Sequence, residues 1–290
     1  MNDVLNIHNL RLSFRDYTDV TEVLHGISLN IRTGERVALV GESGSGKSVT
    51  ARIVLGLLQE LRSSKVEGDL FFEGQDLNAL SRHQWHALRG TSMSMIFQDP
   101  TSSLNPVFSI GTQFTEVLRR RDSKLSKAEA FSRASALLNS VSIHEHARVL
   151  NSFPFQLSGG MNQRVMIAMA LANSPSLLIA DEPGTALDVT VQAQTLKLMH
   201  KLVDQTGTAV LFISHNLGVV RAFSDRVYVI YRGRIVEQGP TKAVFNSPGH
   251  AYTRALMAAV PRITGGGIPD IADADEAFLD PCVIHLEGNQ

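Results

Sequence analysis

A chain of 290 residues with 27 basic and 28 acidic side chains has a formal charge of -1, so nothing global points to nucleic acid and no basic tail is visible. Hydrophobic residues make up 43%, which allows one large α/β domain with an insertion, or two modest domains. The single cysteine, Cys282, excludes an intramolecular disulfide framework or a multi-cysteine metal site and fits a reducing compartment. Met1-Asn2-Asp3 lacks the basic-then-apolar layout of a signal peptide, and the most apolar region, 165–180, is interrupted by Asn173-Ser174-Pro175-Ser176; no bilayer-spanning segment is expected.

In chain order, Leu5 and Ile7 followed by Leu10, Leu12 and Phe14 predict an early strand with a bulge between the two sets. Val23, His25, Ile27, Leu29 and Ile31 then alternate before Thr33-Gly34-Glu35 turns the chain, which suggests an antiparallel β layer. Between these strands lie Phe14 and Tyr17, each able to stack on a purine ring or to make an ordinary hydrophobic contact. Arg36-Val37-Ala38-Leu39-Val40 reads as a short buried strand. It runs into Gly41-Glu42-Ser43-Gly44-Ser45-Gly46-Lys47-Ser48, which meets G-x-x-x-x-G-K-[ST] at every fixed position, and helical spacing follows at Val49, Ala51, Ile53, Val54 and Leu57. Strand, glycine loop and helix in that order make a phosphate cradle, because loop N–H groups and the positive helix end converge on phosphate oxygens. Lys47 is expected to reach the β- and γ-phosphates and the Ser48 hydroxyl to ligate Mg²⁺.

After the cradle helix, Glu67-Gly68 and Glu73-Gly74 bracket a strand over 69–72, and Ser81-Arg82-His83-Gln84 has capping-box form for a helix through Trp85 to about Arg89. A buried strand over 91–97 ends at Gln98-Asp99-Pro100. From 110 to 171 strand signals nearly vanish: Phe114, Val117 and Leu118 form one helical stripe, and Ala130, Ala134, Leu137, Leu138 and Val141 another after the capping box Ser126-Lys127-Ala128-Glu129. This helical insertion closes at Leu157-Ser158-Gly159-Gly160-Met161, where glycines before a new helix again form an anion site or a plain loop-to-helix turn. Leu177-Leu178-Ile179-Ala180-Asp181-Glu182-Pro183 is an apolar strand that delivers two carboxylates at its C-terminal end, where parallel sheets bind ligands. A helix over 192–206 leads to a strand ending in Ser214-His215; the alternation implies parallel βαβ units. A hairpin over 226–237 turns at Arg232-Gly233, helices follow near Thr241 and Tyr252, and the end from Gly265-Gly266-Gly267 onward is expected to be loosely ordered. The fold class is therefore α/β: a P-loop NTPase core with a mainly parallel sheet, an N-terminal antiparallel β layer and an inserted all-α subdomain.

Alone, Gln98 carries no information, His215 reads more readily as a structural histidine, and an acid pair at a strand end also serves as a helix cap. Their joint order is informative. It resembles the ATP-binding cassette ATPases, with a cradle, a Q-loop glutamine, an LSGG signature, an acid pair, a D-loop and an H-loop histidine, over about Leu5 to Pro261. Within that family, Phe97-Gln98-Asp99-Pro100-Thr101-Ser102-Ser103-Leu104-Asn105-Pro106 and Ser247-Pro248-Gly249-His250-Ala251-Tyr252-Thr253-Arg254-Ala255-Leu256 resemble the branch that powers bacterial import of di- and oligopeptides, or nickel.

The resemblance implies roles. Residues 41–48 hold the triphosphate of ATP, Asp181 supports Mg²⁺ through water, and Glu182 is the general base on the attacking water. Gln98 ligates Mg²⁺ and senses the membrane partner; His215 contacts the γ-phosphate and helps orient Glu182. Leu157, Ser158, Gly159, Gly160 and Met161 complete the site of an opposing subunit, and Asp188 sits at the same interface. Phe14 or Tyr17 corresponds to the adenine-stacking aromatic. The implied domains are a nucleotide-binding core at 1–99 and 174–262, a helical signature-bearing subdomain at 100–173 and a tail at 263–290. The implied partners are two integral membrane permease subunits, a second ATPase subunit, identical or homologous, and a solute-binding protein, with no nucleic acid; the location is the cytoplasmic face of the bacterial inner membrane.

Asn162 stands where arginine is usual in that branch, Gly184 where threonine is usual and Asn216 where aspartate is usual, and the tail keeps only Cys282 of an often cysteine-rich segment. Other readings are a soluble cassette of DNA repair or the ribosome, an exporter or lipid or metal transporter ATPase, and a cassette that binds ATP without turnover. The first usually carries two cassettes or a long coiled-coil insertion in one chain.

Overall fold

The structure, a computed structural model, describes residues 3–16, 19–99, 103–184, 189–259, 278 and 281–286. It divides into two compact units, residues 1–79 with 211–290 and residues 80–210.

In the first unit, β1 (Asp3–Arg15), β2 (Val20–Arg32), β4 (Ser64–Phe72) and β5 (Gln75–Asp76) form an antiparallel sheet in the order β2-β1-β4-β5. The expected bulge is present. The register of β1 slips between Ile7 and Leu10, with Asn9 at φ 50, so Leu5 and Ile7 on one side of the slip and Leu10 and Leu12 on the other all bury. The alternation read for β2 needs correction. Leu24 is fully buried with Ile27, Leu29 and Ile31, whereas Val23 and His25 are only partly covered. The cause is Gly26 at φ +88, where an added Cβ would lie 2.5 Å from Asn9 Oδ1; this left-handed residue shifts the pleat by one.

The same unit holds β3 (Arg36–Val40), α1 (Lys47–Val54), α8 (Leu217–Phe223), β9 (Arg226–Tyr231), β10 (Arg234–Pro240), α9 (Thr241–Asn246), α10 (Ala251–Ala258) and β11 (Val283–Ile284). β3 runs parallel to β9, β9 antiparallel to β10, and β10 parallel to β11. Arg232 and Gly233, both at positive φ, close the β9–β10 hairpin as a two-residue turn twisted to suit its strands. The described residues of the tail, 278 and 281–286, depart from the expected looseness: Val283 and Ile284 pair with Glu237 and Gln238, and Phe278 buries its ring against Tyr231 and Tyr252, at 5.6 Å from each. Composition hid this because the ordering contacts are made by β10 and α10, far away in the sequence.

The second unit contains α2 (Arg82–Leu88), β6 (Met93–Ile96), α3 (Ile110–Arg119), α4 (Lys127–Ser140), α5 (His146–Asn151), α6 (Gly159–Leu171), β7 (Leu177–Asp181) and α7 (Val189–Thr206), and β8 (Ala209–Ile213) begins in it. Both expected capping boxes form: Ser81 with Gln84 opens α2, and Ser126 with Glu129 opens α4, each worth about 1 kcal/mol. Helices α3 to α6 supply the expected all-α region. Leu118 of α3 packs with Leu125 and with Ala130 of α4. Helix α6 is buried from Val165 to Leu171, which explains its continuous apolar run. Asn173 ends that helix region with a purpose, since its Nδ2 donates to Gly90 O at 2.7 Å and Val117 O at 2.8 Å. Among the described residues no helix is long and apolar enough to cross a membrane.

Candidate active site

In the first unit, β3 ends at Val40 and the loop of residues 41–48 turns into α1. Gly41 is required for close approach: a Cβ there would lie 2.1 Å from Ile230 O of β9. Gly46 is the N-cap of α1 at φ 111 and brings no side-chain oxygen to it, so the first N–H groups of the helix are not spent on a cap. Lys47 is 6% exposed. Its Nζ donates to Gly41 O at 2.8 Å and Glu42 O at 2.6 Å, which holds a positive charge inside the loop curve.

Two supports of this loop were illegible in the sequence. Gly233, at the hairpin tip, donates its N–H to Ser45 O at 2.9 Å. The Tyr252 hydroxyl accepts the N–H of Glu42 at 3.0 Å. Burial first, with the Glu42 carboxylate and Tyr231 adding to it, pushes the Tyr252 phenol well above its ordinary range, so the hydroxyl stays neutral. The only sequence signal was that Tyr252 lies in a stretch resembling the peptide-importer branch; nothing in its spacing pointed to residue 42.

In the second unit, β6 and β7 run parallel with Met93 opposite Leu177 and Ile96 opposite Ala180. Extending that register by two residues sets Gln98 against Glu182, and Gln98 Nε2 donates to Glu182 Oε2 at 3.1 Å. Two candidates separated by 84 residues are thus brought together. Asp181 is the last residue of β7 and is 7% exposed. Glu182 then leaves the pleat at φ 48, a left-handed conformation costing about 1–2 kcal/mol in a non-glycine residue. The departure Gly184 lies at φ 99, a region that glycine enters without the strain threonine would meet.

The signature residues open α6. Leu157 is buried, Ser158 and Gly159 are exposed, and Ser158 is the N-cap, its Oγ accepting Met161 N–H at 3.3 Å. Asn162 is 3% exposed and donates from Nδ2 to Pro154 O at 3.0 Å, so the departure from arginine puts a neutral amide in a buried place. His215, in the first unit, is exposed between β8 and α8, and Asn216 N-caps α8 by accepting Val219 N–H at 3.2 Å; amide and carboxylate cap about equally well. Phe14 is partly buried in β1, paired with Thr21 and Ser64. Tyr17 and Asp188 lie outside the described residues.

The donors assigned to a metal are a hydroxyl, Ser48, a carboxylate, Asp181, and a side-chain amide, Gln98. Each offers an oxygen, the chemistry Mg²⁺ takes, and the Gln98 contact to Glu182 is made through its Nε2.

A phosphate loop opening a helix, followed by a strand-end carboxylate pair tied to a glutamine and an LSGG helix start, defines a nucleoside-triphosphatase of the cassette type. The family model for the ABC transporter matches residues 24–185, and that for the oligopeptide/dipeptide transporter C-terminal region matches residues 236–277. A probable peptide ABC transporter ATP-binding protein of Sinorhizobium fredii, y4tR, is 46% identical over 283 residues, covering 97% of this chain and 84% of its own. The oligopeptide transport ATP-binding protein OppD of Bacillus subtilis is 46% identical over 264 residues, covering 91% and 74%. Among solved structures, a dimeric post-hydrolysis state of the ATP-binding cassette MJ0796 bound to ADP and Pi superposes with a TM-score of 0.72 at 29% identity, covering 82% of this chain and 98% of that one. The chain belongs to the ABC transporter family and is one of its ATP-binding ATPase subunits, a component of a multi-subunit transporter.

Proposed function

We propose that this subunit drives the uptake of di- or oligopeptides, hydrolysing ATP with Mg²⁺. Its partners are two integral membrane permease subunits, a second ATPase subunit, identical or homologous, and a solute-binding protein, at the cytoplasmic face of the bacterial inner membrane. The observation that carries the substrate class is the match of residues 236–277 to the oligopeptide/dipeptide transporter C-terminal region, and the names of the peptide-transport relatives support it.

Residues 41–48 bind the triphosphate through loop N–H groups and the Lys47 ammonium. Ser48 and Gln98 directly, and Asp181 through water, would hold Mg²⁺, which would neutralise the charge that spreads over the transferring phosphoryl group. Glu182 accepts a proton from the attacking water, and the Gln98 amide N–H donated to Glu182 Oε2 orients that carboxylate. His215 contacts the γ-phosphate. Ser158, Gly159 and Gly160 lend a second anion-binding helix start to the partner cassette's nucleotide, with Asp188 at the same interface, and Phe14 or Tyr17 stacks on adenine.

The permease contact is an exposed aromatic patch. Phe108 is 50% exposed and Phe155 73% exposed; Phe155 stacks on Phe153 at 5.6 Å, and Ile110 N–H donated to Ser152 O ties the two segments. Such a patch marks a protein contact. The test is reconstitution of the chain with its permeases and binding protein in liposomes. ATP-dependent accumulation of a labelled oligopeptide is expected; ATP turnover with no peptide uptake overturns the substrate class.

A further inference from the structure

The stretch 247–256 marks a family branch, and the function derived so far gives it no task. Its geometry supplies one. Glu237 of β10, fully buried, accepts the N–H groups of Gly249 at 2.7 Å and His250 at 3.0 Å, which fixes the start of α10. His250 then caps that helix, its Nδ1 accepting Tyr252 N–H at 3.2 Å. Tyr252, also fully buried, has its ring 4.3 Å from Tyr231 and 5.6 Å from Phe278. Its hydroxyl emerges from this aromatic pocket to accept the N–H of Glu42, the second residue of the phosphate loop.

The peptide group between Gly41 and Glu42 is therefore held at both ends: its N–H, that of Glu42, goes to Tyr252, while its carbonyl, that of Gly41, accepts from Lys47 Nζ at 2.8 Å. The next carbonyl, that of Glu42, accepts from Lys47 Nζ at 2.6 Å and from Ser45 N–H at 3.2 Å. A lysine that turns toward phosphate relaxes its hold on both carbonyls, whereas the tyrosine contact is made to the N–H on the opposite side of the Gly41–Glu42 peptide group. The position of the following N–H donors then depends on the tie that persists, because preorganised donors bind an anion without a reordering cost.

We infer that Tyr252 is a positioning residue for the phosphate loop, its hydroxyl fixing the Gly41–Glu42 peptide group so that the loop is set for nucleotide before nucleotide arrives. Phe278 packs edge-on against the Tyr252 ring at 5.6 Å, while the loop contact is made by the hydroxyl alone. This rests on reading residues 41–48 as the phosphate loop.

The test uses the purified full-length chain well below its melting temperature, with calorimetric Mg²⁺–ATP binding and amide exchange at residue 42. Tyr252→Phe removes only the hydroxyl and is expected to weaken ATP about 5-fold or more, the equivalent of one hydrogen bond, with faster exchange of the Glu42 N–H. In the assembled transporter the loss is expected in KM rather than kcat. Phe278→Leu keeps the hydroxyl and loosens the pocket, so its melting temperature is expected to fall while ATP affinity stays near the wild-type value. If Phe278→Leu weakens ATP as much as Tyr252→Phe at equal loss of stability, or if Tyr252→Phe binds ATP normally, the inference is overturned. Lys47→Ala separates the two levels: lost binding with an unaffected Tyr252→Phe sinks only the positioning role, and retained binding in Lys47→Ala sinks the loop assignment and the inference with it.

Discussion

At the scale of single residues, the acid pair shows how position divides two like groups. Asp181 is buried at the end of its strand, and Glu182 steps out of the pleat at φ 48 to meet Gln98. A general base must be held within reach of water; Gln98 Nε2 donates to Glu182 Oε2, which orients the carboxylate proposed to take the proton. Glu182→Gln keeps the shape and removes the basicity, so turnover is expected to fall by about 10²–10⁴-fold with ATP binding retained, read by phosphate release beside calorimetry. A variant that hydrolyses ATP at the wild-type rate would show that another group takes the proton. The acid pair and Gln98 were visible in the sequence as candidates. Their contact was not, since it arises from the β6–β7 register.

At the scale of elements, one buried carboxylate joins the start of α10 to the residue that follows β11. Glu237 meets three groups from two other segments: the Gly249 and His250 N–H groups from the start of α10 and the His285 ring, 2.6 Å away, from beyond β11. Burial alone raises the pKa of a carboxyl, but these hydrogen bonds outweigh it, and the group lies below its ordinary value of 4.5. A depressed carboxyl contributes stability that is present above the unfolded value and is lost as pH falls through the folded one. Glu237→Gln is therefore expected to cost about 1–3 kcal/mol at neutral pH. The gap to wild type should narrow as pH falls below 4.5, measured as melting temperature against pH. A gap independent of pH over that range would mean that the carboxylate's charge contributes nothing. The sequence placed the hairpin and α10 correctly, because hydrophobic period and turn residues are local. It misjudged β2 and the last strand, because one depends on a left-handed glycine and the other on pairing with a distant edge.

At the scale of the whole molecule, a cassette ATPase is a component, and the contact proposed for its permeases is the exposed aromatic surface at Phe108 and Phe155. Phe155 is 73% exposed, and burying such a side chain stabilises a complex by about 2 kcal/mol. Phe155→Asp is expected to leave ATP binding by the isolated chain intact and to lower co-purification with the permeases at least 10-fold. Full recovery of the complex would place the permease contact elsewhere.

The sequence by itself determined the chemistry and the class of fold: a loop whose every fixed position matches a phosphate cradle, strands and helices alternating around it, and an ordered set of motifs that resembles the ATP-binding cassette. Those features are local in the chain, so spacing and residue type suffice to reveal them. Tertiary structure alone decided which side chains meet. It set Gln98 on Glu182, Tyr252 under Glu42 and Glu237 among three chain segments, because hydrogen bonds between residues far apart in sequence form only after register and packing have fixed where each backbone lies.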